Sequence, residues 1–294
     1  MILRKHRVYV KLAGILSLIM TNVLWGTSFV FIKLSMNEIN PFTYTFMRTL
    51  VATLAISPIT IFKLMRRRLH ITSLTRGLLV GFAYSTGLCL QAAGTAYIDP
   101  STSAFITGLS TIHVHLYSAI ANRKYTKFDL LSLLIAILGL FVLTSPAGGL
   151  GVGDLLVFSA TFAWAAQVIL ISKHGKSSMI EFLTGTFAAG LFFAPLSLFS
   201  GININTSTLL YLLYLGIVCS IGATFFQVFG QRYISASTAA LLFLLEPVLA
   251  TFFSIIMGLE ELSIHKVIGG GLILLSLYLA TVIELRKDKS TSEF

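Results

Sequence analysis

Glu246 is the residue of this sequence whose position most directly implies chemistry. It lies about midway between Tyr233 and Glu260, in an apolar run long enough to cross a bilayer. An ionised carboxylate at that depth costs at least about 2.5 kcal/mol, so Glu246 must face a cavity, pair with a cation or carry a proton. One hypothesis is that Glu246 exchanges a proton or binds a substrate amine, because the protonation of a buried carboxyl group depends on its access to water. The alternative is a hydrogen-bonded acid that stabilises a kink at Pro247.

Arg48 is the corresponding basic residue. It lies seven residues after Pro41, roughly 10 Å along a helix axis from the end of its apolar segment. A guanidinium at this depth is a candidate to bind a substrate carboxylate or to pair with Glu246. The alternative is a long side chain that extends outward to water or caps backbone carbonyls.

Pro247 follows Glu246 and predicts a bend beside it. Proline lacks a backbone donor and should release the carbonyl of Phe243 from the helical hydrogen-bond ladder. Membrane transporters bind substrates at bent or broken helices. A proline that only shapes helix packing is the competing interpretation.

The elements that must position these residues are membrane-spanning helices. Of the 294 residues, 56% are hydrophobic and only 11% are charged, whereas soluble domains carry roughly 25% charged residues. The mean hydropathy of +0.89 and the length of the apolar runs predict an all-α integral membrane protein with ten transmembrane helices. The predicted spans, numbered 1 to 10, are 12–33, 41–63, 75–95, 98–121, 128–146, 153–172, 180–200, 208–230, 234–257 and 265–285.

The basic residues predict the orientation of these spans. With the amino terminus in the cytoplasm, eighteen of the 21 Lys and Arg residues fall on the cytoplasmic side, and only Lys33 and Lys266 lie toward the outside. We therefore expect a multi-pass protein of the cytoplasmic (plasma) membrane with both termini in the cytoplasm. Basic loops beside apolar runs account for the net charge of +10 without nucleic-acid binding.

The two halves of the chain repeat one another. Trp25 and Trp164 correspond at an offset of 139 residues, and Pro58 and Pro195 at an offset of 137. A shift of 136 residues produces seven identities within fourteen positions. The first-half residues are Gln91, Gly94, Tyr97, Ile98, Ser101, Thr102 and Ala104, and their partners are Gln227, Gly230, Tyr233, Ile234, Ser237, Thr238 and Ala240.

This repeat predicts two five-helix units, at residues 1–147 and 148–294. Because five is odd, the units must enter the membrane from opposite sides and form an inverted repeat. One pair of equivalent loops agrees, since the segment 122–124 is basic where the predicted topology is cytoplasmic and the segment 258–261 is acidic where it is external. A substrate cavity between the units is expected.

Symmetry and polarity then select further candidates for that cavity. Gln91 and Gln227 are repeat mates, Trp25 and Trp164 are another such pair, and Asn22 is a polar residue of span 1. Hydrogen bonding between helices explains the glutamines equally well, and interfacial anchoring explains the tryptophans.

Two histidines of span 4 need separate treatment. His113 and His115 are two positions apart and point about 200° away from each other on a helix, so they cannot face one site. No Cys or carboxylate accompanies them at metal-ligand spacing, which argues against a metal site. His115 is retained as a candidate cavity contact, with a packed, hydrogen-bonded histidine as the alternative.

The second half resembles EamA-type members of the drug/metabolite transporter superfamily. The resemblance lies in Ser237–Val248, in Gly258–Glu260 and in Gly269–Leu274, and in the first half it lies in Trp25–Phe29. It implies secondary transport of small metabolites through a central cavity, with amino-acid export among the family's activities. The sequence departs from the family pattern where Thr111 stands opposite Pro247 and where 122–124 replaces a Gly-Glu pair.

Other classes of function lack their motifs. The sequence contains no GxxxxGK[ST] loop, no HExxH and no plausible catalytic triad, so we expect neither an ATP-driven pump nor an enzyme, and no cofactor. A channel would need a charged ring or selectivity loop. A facilitative carrier or channel for small organic solutes is the alternative to an ion-coupled exporter. The expected partners are a small-molecule substrate, the lipid bilayer and protons, with a monomer and a homodimer both left open.

Overall fold

The computed structural model describes residues 2–121, 127–144, 151–199 and 204–290, and every regular element within them is helical. A 3₁₀ segment at Ala189–Phe193 and a π-helical segment at Leu215–Gly222 interrupt the α-helices. The α-helices are α1 Ile2–Met36, α2 Pro41–Met65, α3 Ile71–Thr95, α4 Pro100–Gly108, α5 Ser110–Ala121, α6 Lys127–Thr144, α7 Val152–His174, α8 Met179–Ala188, α9 Ala194–Phe199, α10 Thr206–Tyr214, α11 Ala223–Gln231, α12 Ala236–Leu242, α13 Leu245–Ile256 and α14 Ile264–Ser290.

These elements form ten spans, which confirms the predicted all-α membrane fold. Eight stretches of the described residues are long and apolar enough to cross a bilayer, and α6 and α14 supply the other two spans. Four spans are interrupted rather than continuous. Span 4 consists of α4 and α5, span 7 of α8, the 3₁₀ segment and α9, span 8 of α10, the π segment and α11, and span 9 of α12 and α13.

The contacts between the halves follow the repeat. Helix α3 of the first half packs against α7 of the second, which is span 3 on span 6. The equivalent contact is α1 of the first half on α11 of the second, which is span 1 on span 8. Spans 5 and 10, which are repeat mates, pack along each other as α6 and α14. Each half therefore completes its core on the other half.

Two equivalent glycine pairs show how closely these helices approach. A Cβ on Gly94 would lie 2.5 Å from the carbonyl oxygen of Gly153, and a Cβ on Gly230 would lie 2.8 Å from that of Gly14. Glycine at such positions allows helix backbones to touch in a membrane. The first pair joins the end of α3 to the start of α7, and the second joins the start of α1 to the end of α11. The two pairs lie at opposite ends of the bundle, as an inverted repeat requires.

Polar contacts connect the halves at both ends of the bundle. At the end that holds the start of α1, Lys63 Nζ lies 2.9 Å from Glu181 Oε1. At the opposite end, Glu260 accepts hydrogen bonds from the backbone N–H and hydroxyl of Ser101 and pairs with Lys266 at 3.0 Å. The predicted unit boundary at residues 147 and 148 and the basic loop at 122–124 lie outside the described residues.

Candidate functional site

A cavity lies where the two halves meet. Spans 1, 2, 3, 4, 6 and 9 contribute side chains to it, so its walls come from both repeats. Its lining residues are Trp25, Ser28, Arg48, Tyr84, Leu88, Gln91, Thr107, Gly108, Ser110, Thr111, Trp164, Gln167, Val168, Phe243 and Glu246.

Arg48 enters this cavity from α2 and is only 1% exposed. Its Nε donates to Ser220 Oγ at 2.8 Å, and its Nη1 donates to the hydroxyl of Tyr44 at 2.5 Å. A guanidinium has five N–H groups, and the other three have no partner among the described residues. Arg48 is therefore held by the protein at Nε and at one Nη1 donor, and the second Nη1 donor and both Nη2 donors remain free within the described part of the chain.

Glu246 approaches the cavity from the first turn of α13. It is partly exposed, and its carboxylate makes no hydrogen bond or ion pair with any other residue that the structure describes. The pairing with Arg48, one of the alternatives that the sequence allowed, is therefore not formed. A carboxylate in the first turn of a helix also benefits from the positive end of the helix dipole.

Span 9 is interrupted just before Glu246, as Pro247 predicts. Helix α12 ends at Leu242 and α13 begins at Leu245. The carbonyl of Phe243 accepts a hydrogen bond from the N–H of Glu246 at 3.0 Å, in a tight i to i+3 turn. The acidic residue therefore lies where the helix restarts.

Span 4 is interrupted at the equivalent place, although it has no proline there. Helix α4 ends at Gly108 and α5 begins at Ser110. The hydroxyl of Thr111, which stands opposite Pro247 in the repeat, donates to the carbonyl of Ala240 at 2.9 Å. This bond joins the two interrupted helices directly.

Aromatic rings form much of the remaining wall. The repeat mates Trp25 and Trp164 meet with ring centroids 6.3 Å apart, and Trp25 also contacts Phe243 at 5.6 Å. Tyr84 packs edge-on against Trp164 at 5.6 Å. The indole N–H of Trp25 donates to the carbonyl of Cys219, whereas the buried indole N–H of Trp164 has no partner among the described residues.

The structure brings together five of the eight predicted site residues, namely Arg48, Glu246, Trp25, Trp164 and Gln91. The side-chain amide of Gln91 donates to Thr107 Oγ1 at 3.1 Å, beside the interruption in span 4. Whether these residues bind substrate stays a prediction.

The other three predicted residues are not among those that line the cavity. Gln227 is fully buried and exchanges two hydrogen bonds with the lining residue Gln167, at 2.8 and 2.9 Å. Asn22 donates to the carbonyl of Leu18 in its own helix. His115 packs against span 9 with Nε2 3.1 Å from the carbonyl of Ser237, in agreement with the alternative of a packed histidine.

Sequence reasoning missed Tyr84 and Ser220. Tyr84 lines the cavity, and its hydroxyl donates to Ser220 Oγ at 2.9 Å. The two residues are related by the 136-residue offset, so the repeat carried a signal that could have paired them. Among the described residues, no group of three or more His, Cys, Asp or Glu side chains converges on a site that could hold a metal ion.

A profile of the EamA-like transporter family matches the sequence twice, over residues 12–145 and 151–282. The chain belongs to this family. The two matches cover nearly the whole length, and each corresponds to five of the ten spans.

Relatives and a solved structure agree with this assignment. A protein of Archaeoglobus fulgidus named "Uncharacterized transporter" is 26% identical over 273 residues, which covers 91% of this chain and 85% of that protein. A Clostridium kluyveri protein of the same name is 21% identical over 95% of both chains. A solved structure described as "Crystal structure of protein" shares the fold, with a TM-score of 0.73 and 17% identity over 95% of this chain and 98% of that one.

Proposed function

We propose that this transporter is a secondary-active exporter of small metabolites such as amino acids, which it moves by alternating access through the cavity between its halves. In this proposal it resides in the plasma membrane with both termini in the cytoplasm. The observation that carries the proposal is the presence in one cavity of a buried guanidinium with three free N–H donors and an unpaired carboxylate.

These two groups suit a zwitterionic solute. The free Nη1 and Nη2 donors of Arg48 can hold a carboxylate through two parallel hydrogen bonds, and Glu246 can accept a substrate ammonium group. The walls formed by Trp25, Trp164 and Leu88 can contact an apolar side chain. A charged arginine buried without a counterion is unfavourable, so an anionic substrate would supply the missing partner.

Glu246 also supports coupling to protons. A carboxylate that has no protein partner can exchange its proton as its access to water changes between the two orientations of the cavity. The polar contacts at the two ends of the bundle support alternating access. Lys63 and Glu181 join the halves at one end, and the hydrogen bonds from Ser101 to Glu260 join them at the other, so each end can open separately.

The test is transport by the purified protein in liposomes. A panel of amino acids and related metabolites is offered with and without a pH gradient, and native protein is compared with Glu246→Gln. We expect the pH gradient to drive accumulation by the native protein, and we expect Glu246→Gln to lose at least about 90% of that accumulation, because the glutamine cannot exchange a proton. Glu261→Gln, which neutralises an exposed carboxylate, is the control.

The competing function is a facilitative carrier, and the same assay separates the two. Saturable exchange of labelled substrate that is equal with and without the gradient, and equal in Glu246→Gln, would exclude proton coupling. Uptake that does not saturate would indicate a channel. The absence of transport for every metabolite tested would contradict the proposed substrate class.

A further inference from the structure

Ser220 does not line the cavity, but it contacts Arg48, the buried arginine that does. It is fully buried in the π segment of span 8. Its hydroxyl oxygen accepts hydrogen bonds from Arg48 Nε at 2.8 Å and from the hydroxyl of Tyr84 at 2.9 Å. The two lone pairs of this oxygen are therefore both used.

The backbone of span 8 approaches span 2 closely enough for this contact because of Gly216. A Cβ at that position would lie 2.6 Å from Cγ1 of Val51 and 3.0 Å from the carbonyl oxygen of Arg48, so only glycine fits. Gly216 thus places the π segment directly against the turn of α2 that carries Arg48. Ser220, four residues later, then reaches the guanidinium.

The residue before Ser220 in the π segment makes a second contact with a cavity side chain. A π-helix bonds residue i to residue i+5 and is often found at functional sites. The carbonyl of Cys219 accepts the indole N–H of Trp25 at 3.0 Å, while the side chain of Ser220 accepts from Arg48. Two consecutive residues of the second half therefore hold two cavity side chains that belong to the first half.

We infer that Ser220 is a positioning residue that orients Arg48 for a substrate carboxylate. Nε of the guanidinium is occupied by Ser220 and one Nη1 donor by Tyr44, so the second Nη1 donor and the two Nη2 donors remain for a ligand in the cavity that Arg48 lines. Without Ser220 the guanidinium can rotate about its stem, and two parallel hydrogen bonds to a carboxylate need a fixed plane. This inference rests on the proposed function, since it concerns how the same cavity recognises its solute.

The experiment measures binding rather than transport. Purified transporter in detergent is titrated with a panel of standard amino acids and with the primary amides of those that bind. We expect Ser220→Ala to weaken binding of the acids roughly tenfold, which is the loss typical of one hydrogen bond to a charged group, and to leave the amides within about twofold. Ser220→Thr keeps the hydroxyl and should restore acid binding.

Ser85→Ala is the matched control. Ser85 is also a buried serine, it does not line the cavity, and its hydroxyl has no partner among the described residues. A purely structural role for Ser220 predicts equal losses for acids and amides in Ser220→Ala, with a lowered melting temperature, and that result overturns the inference. Equal acid binding by native protein and Ser220→Ala overturns it as well.

Failure of the proposed function gives a different result. If native protein binds none of the amino acids, the proposed substrate class is wrong and the inference falls with it. If native protein binds acids and amides equally well, Arg48 does not recognise a carboxylate, and Ser220 has nothing to orient.

Discussion

Spans 4 and 9 occupy equivalent places in the two repeats, and both are interrupted at the cavity, but only one of them carries an acid. Glu246 of span 9 has Ser110 as its counterpart in span 4, and Pro247 has Thr111. The interruptions coincide, since α5 begins at Ser110 and α13 begins one residue before Glu246. The backbone is thus more symmetric than the side chains.

This difference shows that a break at this place can form without proline. In span 4 the break forms with Thr111 at the proline position, and the threonine hydroxyl donates to the carbonyl of Ala240 in the opposite break. Helices α4 and α13 pack against each other, and so do α5 and α12. We infer that the packing of the two spans on each other maintains both breaks. Glu246 then gives one of the breaks a carboxylate that the other lacks.

The largest effect on transport is expected from moving the carboxylate from span 9 to the equivalent position of span 4. Glu246→Ser alone should abolish proton-driven accumulation in liposomes, because no carboxylate then remains among the described lining residues of the cavity. Adding Ser110→Glu places a carboxylate at the equivalent point of span 4. We expect the double variant to recover substrate binding and part of the pH response.

Initial transport rates and binding across a pH series would measure this exchange. If the double variant binds substrate no better than Glu246→Ser, the two sides of the cavity are not equivalent for the solute. The comparison of the spans would then hold for the backbone only.

A smaller effect, a loss of stability, is expected from replacing Thr111, whose hydrogen bond joins the two breaks. Thr111→Val keeps the shape of the side chain but removes the hydrogen bond to Ala240 across the halves. Interhelical hydrogen bonds in membranes contribute about 0.6 kcal/mol on average and at most about 1.7 kcal/mol, so a loss within that range is expected. Reversible unfolding in mixed detergent would measure it.

Thr251→Val is the control for this loss. The hydroxyl of Thr251 donates at 2.8 Å to the carbonyl of Pro247 in its own helix, so its removal does not separate the halves. Equal destabilisation by the two variants would contradict a special role for the bond between the breaks.

The smallest effect is expected from replacing Pro247. Because the packing of the two spans maintains both breaks, Pro247→Ala should leave α12 and α13 separate and change the free energy of unfolding by less than about 1 kcal/mol. Transport should persist. Hydrogen exchange of the new backbone amide at position 247, which would donate to the Phe243 carbonyl in a continuous helix, would report whether the break has closed.

A continuous span 9 in Pro247→Ala, with the amide at position 247 protected and no transport, would reverse the conclusion about proline. Pro58→Ala provides the reference, since Pro58 lies inside α2, which is continuous. That variant is expected to change neither exchange at span 9 nor binding.

Much of the architecture followed from local features of the sequence. A bilayer requires about 20 apolar residues per span, so the apolar runs determine the number of spans without reference to neighbouring helices. The match between Gln91–Ala104 and Gln227–Ala240 determined that the chain is a repeat. Five spans per repeat then required the halves to be inverted. The depth of Glu246 and Arg48 within their spans identified them as candidate site residues, because a charge in the hydrocarbon core of the bilayer is unfavourable however the helices pack.

The tertiary structure alone decided which way these side chains point and what they contact. Arg48 bonds to Ser220 and Tyr44 and not to Glu246, which was one of the alternatives that the sequence allowed. Gln227 does not line the cavity and pairs with the lining residue Gln167. These contacts join residues that are far apart in sequence, and they depend on helix rotation and close approach, which hydropathy does not encode. The break in span 4 is of the same kind, because its sequence has no proline and we infer that the packing against span 9 maintains it.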